Sequence, residues 1–553
     1  MYIYSYENLK RLTQTENGKK SLDECKAYYE ENFKDTPIHN LPFTAYKEFF
    51  LSGNRKLYET PYFARRARLT ALQTLAISDD KYIAELEEII AAICDEFTWV
   101  IPAHMRANKI DLFSSETARI LAETLYIFGD RLSAIIQDRM RESVYQKIIR
   151  LYEENSFWWD KTNCNWAAVC ACGVGITYLY LYPERFERIK TRLWETFKAF
   201  LSGFDDEGYC FEGVGYWRYG FQHFCAFFGV YEGLTKNRPD FIDSVKVKKI
   251  IQYVDNARMG ENIYLPFADG GSPVWEIDTL SACIIKLLYP NDFKLNKIST
   301  VLPSSNGFYT RALCGITLFS EPQEYFQEEK SIYYHKAQVF IRKRKKYSFA
   351  VQCGNNGVIH NHNDVGAFQI VQNNKRVICD FGAGIYTKEY FGTNEQRYKH
   401  FACNSLSHSV PIVDGQLQMW GAEHYGTVLS QSDNLIVMDI AKAYANGPER
   451  LIVEYRTEKD FISVKYTCKG FKEKIKFHFV SDIEPIIERQ GIRLGDVYLL
   501  SNVNVLPEIT HREERLCNPL HLEIDKTIPY NVYILDYELS GKDEINAEFI
   551  FQL

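Results

Sequence analysis

The stretch "GVIHNHNDVGAFQIVQNNKRVICDFGAG" places His360, His362, Asp364 and Asp380 in one short span of chain. Imidazoles and carboxylates so grouped serve one of two chemistries: they move protons, or they hold a divalent cation. The stretch otherwise reads as β-strand, in which alternate side chains share a face, so His360 and His362 are expected side by side. Two imidazoles are seldom placed together for packing alone. Asp364 continues the alternation but is equally a turn residue. Asn373-Asn374 reads as a two-residue hairpin turn between apolar strands, which pairs Gln372 with Lys375 and sets Asp380 on the neighbouring strand. Two histidines and one carboxylate make a reasonable zinc set, and His408 in "SLSHSVPIVDG" would complete or replace it.

Three earlier stretches carry further candidates. "NCNWAAVCACG" sets Asn163, Asn165 and Trp166 where a helix begins, and Asn165 taken alone reads as a cap. "DDEGYCFEGVGYWRYGFQHF" holds Glu212, Tyr216, Arg218, Tyr219 and His223 behind glycines. "WVIPAHMRANKIDLFSSE" puts His104 and Arg106 in a loop between helices. Taken singly, a tyrosine or histidine in such a place is usually a packed ring with a satisfied polar atom.

The elements that must position these residues change character along the chain. From about residue 20 to about 290 the apolar period is helical: in "YIAELEEIIAAICDEF", Ile83, Leu86, Ile90 and Ile93 share a face. A succession of such helices with short Pro, Gly or Asp breaks predicts a helical solenoid or a closed helical toroid. After about residue 300 the pattern alternates, as in "AQVFIRKRKKYSFAVQCG" and "RLIVEYRTEKDFISVKYTC", and predicts an antiparallel sandwich of two large sheets. The change is placed in "VLPSSNGFYTRA", giving a helical domain over 1–300 and a β domain over 301–553.

Composition bounds the function. The chain has 553 residues, 46% of them hydrophobic, enough for two large domains. A formal net charge of -7 argues against a general nucleic-acid binder, which needs clustered positive charge. The 14 cysteines follow no regular spacing and read as reduced and buried. The start, "MYIYSYENLKRLTQ", lacks a basic region followed by an apolar one, and no run reaches transmembrane length. A cytoplasmic protein is expected, or a periplasmic or secreted one if an export segment has been removed.

Taken together, "NW" before a small-residue helix, "EGVGYWRYG", "HNHND" followed by "CDFGAGIY", and "SHSVPIVDG" make the chain resemble the heparinase II/III family of polysaccharide lyases over nearly its whole length. The resemblance implies an N-terminal (α/α) toroid, a C-terminal antiparallel β-sandwich, and cleavage of a uronate glycan by β-elimination, heparin or heparan type foremost. Elimination needs the uronate carboxylate neutralised, the C5 proton removed and the departing O4 protonated. By resemblance Tyr216 is the catalytic tyrosine, acid to O4 and, depending on the epimer, also base, with Tyr219 its rival. His360 is the catalytic histidine, and Asn165 neutralises the carboxylate. Arg218, beside the tyrosine, holds an anionic group and favours phenolate. Tyr219, His104, Trp166, Tyr390 and Arg397 line the cleft. A structural zinc is held by His362, Asp380 and His408, and no organic cofactor is needed. The chain departs from some relatives at Ala171 and Cys172, where a His or Asn stands, so the neutralising role falls on Asn165 or on His104.

The expected partner is an anionic oligosaccharide or polysaccharide, with no nucleic acid and no membrane; a homodimer is left open. An exolytic mode is expected, one end of the cleft being blocked by loops near 104–116. Two other readings stand beside this one. A glycoside hydrolase on the same toroid needs paired carboxylates, for which Glu212, Asp205, Asp206 and Asp269 in "PFADGG" are available. A non-catalytic glycan-binding protein would have no need of Tyr216, His360 and Asn165.

Overall fold

The computed structural model describes residues 5–105, 109–270, 279–293, 307–316, 328–516, 528–541 and 544–553. Arg106 lies outside them. The N-terminal half is a ring of helical hairpins. Helices Leu112–Phe128, Asn165–Leu181, Val214–Thr235 and Thr279–Leu288 pack in succession. Their sequences explain their place. Asn165–Leu181 carries no charged residue and is buried nearly all round, as an inner helix must be. Phe186–Ser202 buries one stripe, Phe186, Ile189, Leu193, Phe197 and Phe200, and turns its charges outward. The ring closes where helix Tyr309–Ile316 packs on Thr279–Leu288 and on the first helices of the chain, Tyr6–Leu12 and Glu16–Asn32. That closure makes the helical half a toroid. Helices therefore continue past the expected change of period at 301–312, and the first strand begins at Lys330.

The C-terminal half is a sandwich of antiparallel sheets. One layer is eight-stranded and contains Arg450–Thr457, Phe461–Lys469 and Glu544–Gln552. The other is built from a five-stranded and a four-stranded sheet, joined where the Cys379 N–H donates to the Val480 carbonyl at 3.0 Å. Phe368 lies at the centre and meets Tyr455, Phe479 and Phe551 from the remaining strands. The hairpin at Asn373-Asn374 forms as its turn chemistry predicts: both residues have positive φ, and Gln372 pairs with Lys375.

The middle strands of the five-stranded sheet, Tyr347–Gln352 and Phe368–Gln372, are buried on both faces. Phe340, Phe349 and Val351 enter the sandwich core, while Val339, Ile341 and Ala350 join the core of the helical half. That second face fixes the sheet, and the loops leaving it, against the toroid. Lys343 is caught in this contact, 4% exposed, its Nζ donating to the Asp255 carbonyl at 2.6 Å. Burial, reinforced by the nearby charge of Lys330, lowers its pKa to about 7; Arg258 adds to the effect and Asp255 and Glu328 oppose it. The folded state thus binds this proton less tightly than the unfolded chain does. The Lys343 contribution to stability should rise with pH from about 7 to the ordinary value of 10.5 and fall away below it. Urea midpoints measured across that window should climb less steeply for Lys343→Met than for the parent. Equal slopes would refute the assignment.

Candidate active site

The site lies where loops of the β half meet one end of the toroid. Its helical side is the start of Val214–Thr235. The glycines before it have a steric purpose. A Cβ on Gly213, which has φ +92°, would stand 2.5 Å from the Gly270 Cα, and the Gly215 N–H donates to the Gly270 carbonyl at 2.9 Å. This close approach brings Asp269 against the helix start that carries Tyr216.

The β side corrects one expectation. His360 and His362 are not on a strand; they lie in the loop between Asn355–Asn356 and Phe368–Gln372. His360 adopts φ +61°, a conformation that costs a non-glycine residue roughly 1–3 kcal/mol and is held here by the Asp269 N–H donating to the His360 carbonyl at 3.1 Å. The two imidazoles converge by gripping one carboxylate rather than by strand alternation. His360 Nδ1 stands 2.7 Å from Asp269 Oδ2, and His362 Nε2 stands 3.1 Å from Oδ1.

Asp269 is the hub of the site. Beyond the two histidines it accepts a hydrogen bond from the Tyr390 hydroxyl and two from Arg397 Nη2, each at 3.1 Å. Burial alone would raise its pKa, but the bonds from His360 and His362 and the charge of Arg397 overcome that and hold the carboxyl well below the usual range. Tyr390 and Arg397, expected as cleft residues, are thus engaged in holding Asp269, although Arg397 also borders a cavity beside His360.

On the other face of His360 lies Tyr216, stacked at 4.2 Å between ring centroids with 24° between the planes. Burial, and next the charge of Asp269, push its phenol well above its ordinary value; a hydrogen bond with Tyr386 and the charge of Arg397 pull the other way. The resting group is therefore a neutral phenol. The nearby cation is Arg397, not Arg218, which sits half-buried about 200° round the helix from Tyr216. Tyr219 is turned elsewhere: its hydroxyl donates to Glu116 at 3.2 Å, and His223 meets the same carboxylate at 2.9 Å. Of the two tyrosines, Tyr216 is the one that meets His360.

Asn165 is the first residue of its helix and Cys164 is the cap position, so the asparagine is not a cap. Its backbone N–H donates to the Glu212 carboxyl, while its side-chain amide makes no hydrogen bond among the described residues. Glu212 Oε2 stands 3.6 Å from His360 Nε2, and burial raises the Glu212 pKa despite His360 and the Asn165 N–H. Beside Asn165, Trp166 packs edge-on against His104 at 4.8 Å, and His104 Nδ1 is held 2.9 Å from Asp111. Of the other carboxylates considered, Asp205 caps a turn through the Glu207 and Tyr209 N–H groups, and Asp206 points to solvent.

His362, Asp380 and His408 come together behind the site. Each offers a ligand atom, all within 4.8 Å of one another, and all three side chains are buried. His408 Nδ1 stands 3.0 Å from Asp380 Oδ2. The Nδ1 of His362 has no hydrogen-bond partner among the described residues, although its Nε2 is engaged. A buried, unpartnered imidazole nitrogen facing a second imidazole and a carboxylate is a donor set that fits zinc.

No family model matches the sequence, and no curated protein does. Solved structures do. A heparinase III aligns over 96% of this chain and 91% of its own, with TM-score 0.62 and 14% identity. The heparan sulfate lyase HepC from Pedobacter heparinus aligns over 99% and 93%, with TM-score 0.55 and 12% identity. The chondroitin AC lyase of Streptomyces coelicolor A3, solved with chondroitin sulphate, aligns over 99% and 82%, with TM-score 0.61 and 9% identity. The architecture is a helical toroid followed by an antiparallel sandwich. More narrowly, it is the heparinase-like polysaccharide lyase fold.

Proposed function

We propose that the protein is a polysaccharide lyase that cleaves a uronate glycan by β-elimination. The observation that carries this is the stack of Tyr216 on His360, one from each half of the chain, with Asp269 behind the imidazole. With its Nδ1 proton directed to Asp269, His360 presents Nε2 as a base. It takes the C5 proton of the uronate. The electron pair forms the C4–C5 double bond, the C4–O4 bond breaks, and the neutral phenol of Tyr216 protonates O4. The open amide of Asn165 donates to the uronate carboxylate and so favours charge developing there. Hydrolysis is less well served, because it needs two working carboxyl groups. Asp269 is fully enclosed by four donor side chains, which leaves Glu212 alone.

The substrate foremost in this reading is a glycan alternating uronate with glucosamine, as the names of the heparinase and heparan sulfate lyase of like fold suggest. Exolytic cleavage belongs to the same proposal, with the packed His104–Trp166 edge closing one end of the cleft. Mixed intermediate lengths early in digestion would overturn that part. The test of the whole is ultraviolet absorbance during incubation with a panel of uronate glycans. A rise from the new double bond is expected. New reducing ends without a rise would assign hydrolysis instead.

Zinc held by His362, Asp380 and His408 completes the proposal. When bound, the ion supplies a fixed positive charge that ties three side chains together. His362 then links that centre to the reaction, since its other nitrogen grips the carboxylate that orients His360. Elemental analysis should find about one zinc per chain in the parent and little in His362→Ala. Chelator should lower the melting temperature of the parent and leave that of the variant unchanged. A parent free of zinc would remove the metal from the reading.

A further inference from the structure

A cavity of about 440 Å³ opens beside His360, lined by His360, Asn394, Arg397, Tyr398, Trp420 and Glu423 among others. It is large enough for a hexose ring and lies wholly within the β half. His360 forms one wall of it and stacks on Tyr216 on its other side, so an occupant would be continuous with a uronate at the reacting centre.

The polar groups at its base are already engaged with one another. Tyr398 donates to Asn361 Oδ1 at 2.6 Å, and the Asn361 amide donates to the His362 carbonyl at 2.9 Å. Arg397 donates to Asp269, to the Tyr390 carbonyl and to the Asn361 carbonyl. Its charge is matched by the buried carboxylate behind it. The side chains with no hydrogen bond or ion pair among the described residues are Asn394, Trp420 and Glu423. They offer an amide, an aromatic face with one N–H, and a carboxylate. Glu423 is an exposed residue whose carboxylate lies over Gly421, at φ +116°, where a Cβ would meet Oε1 at 2.5 Å.

An unmatched carboxylate accepts hydrogen bonds and repels anions, and a half-buried indole stacks on the apolar face of a pyranose. We propose that this cavity is the subsite for the sugar bonded to the cleaved uronate, and that Glu423 makes it select a glucosamine bearing a free amine over one bearing an N-sulfate. The inference rests on the lyase reading for the position of the uronate. Glu423 is a specificity determinant here, not a catalytic residue.

The experiment uses a tetrasaccharide alternating uronate and glucosamine, in free-amine and N-sulfated forms. Calorimetric binding is measured to a Tyr216→Phe background, and elimination is followed in the Tyr216 enzyme. The free-amine form should bind about threefold more tightly, the scale of an ion pair to an exposed carboxylate. Glu423→Gln should narrow that preference, and Glu423→Lys should reverse it. Elimination by the Tyr216 enzyme with a preference that neither substitution moves would overturn the subsite and leave the lyase standing. A preference that moves as expected, without unsaturated product, would keep the subsite and overturn the lyase. No preference in the parent would also overturn the subsite.

Discussion

Tyr216→Phe is expected to lower kcat for elimination by about 10²–10⁴-fold, the usual range for removing a positioned acid–base group. The substitution removes one hydroxyl from a ring that keeps its stack on His360. Binding, read as the dissociation constant of a uronate oligosaccharide, should stay within about threefold, because the Asn165 amide and the cavity wall are untouched. Such a loss in kcat alone marks an interaction made in the transition state. Tyr219→Phe is the control. Its hydroxyl faces Glu116 and His223 inside the toroid, so its removal should cost stability and leave kcat nearly unchanged. If the two variants behaved alike, Tyr216 would lose its role.

Much of this site was legible in the sequence, and the reason differs from residue to residue. Tyr216, His360 and Asn165 lie in short stretches dense with glycine, histidine or small residues, where local composition already departs from ordinary packing. His362, Asp380 and His408 were legible as ligand types, and the structure brings them together. The turn at Asn373-Asn374 was legible because positive φ selects asparagine. The alternation of His360 and His362 was misleading. It suggested a strand, yet the loop conformation of His360 comes from its contact with Asp269, far away in the chain.

Asp269 itself was visible only as one carboxylate among several. Its partners, His360, His362, Tyr390 and Arg397, lie between 91 and 128 residues further on, beyond any local pattern. The signal that could have found it was the run of glycines on both sides of the contact, in "EGVGYW" and "ADGG", which marks close backbone approach. The cleft roles expected for Tyr390 and Arg397 were likewise a matter of partner. Both are near the site, but a buried carboxylate engages them there. The limit of the helical half was misplaced because helix Tyr309–Ile316 is short and closes the ring through contacts with the start of the chain.

Asp269→Asn should have the broadest effect of any single substitution. The carboxylate meets donors from four side chains on two oxygens. An asparagine has one acceptor oxygen, and its NH₂ would face at least one of those donors. Removing one partner of a buried ion pair costs about 3–5 kcal/mol, chiefly through the charge left behind, here Arg397. The melting temperature should fall accordingly. Activity should fall further than stability explains, by about 10³–10⁴-fold in kcat, because the His360 tautomer is no longer fixed. Asp269 is also the outer partner of His362, so zinc affinity measured against a chelator should drop by about 10–100-fold. The three losses have separate readouts and one cause. Loss of activity with unchanged stability and zinc affinity would mean that Asp269 acts on substrate directly. Loss of stability with near-normal kcat would mean that His360 keeps its orientation by other means, and the linkage between the metal centre and the base would fall with it.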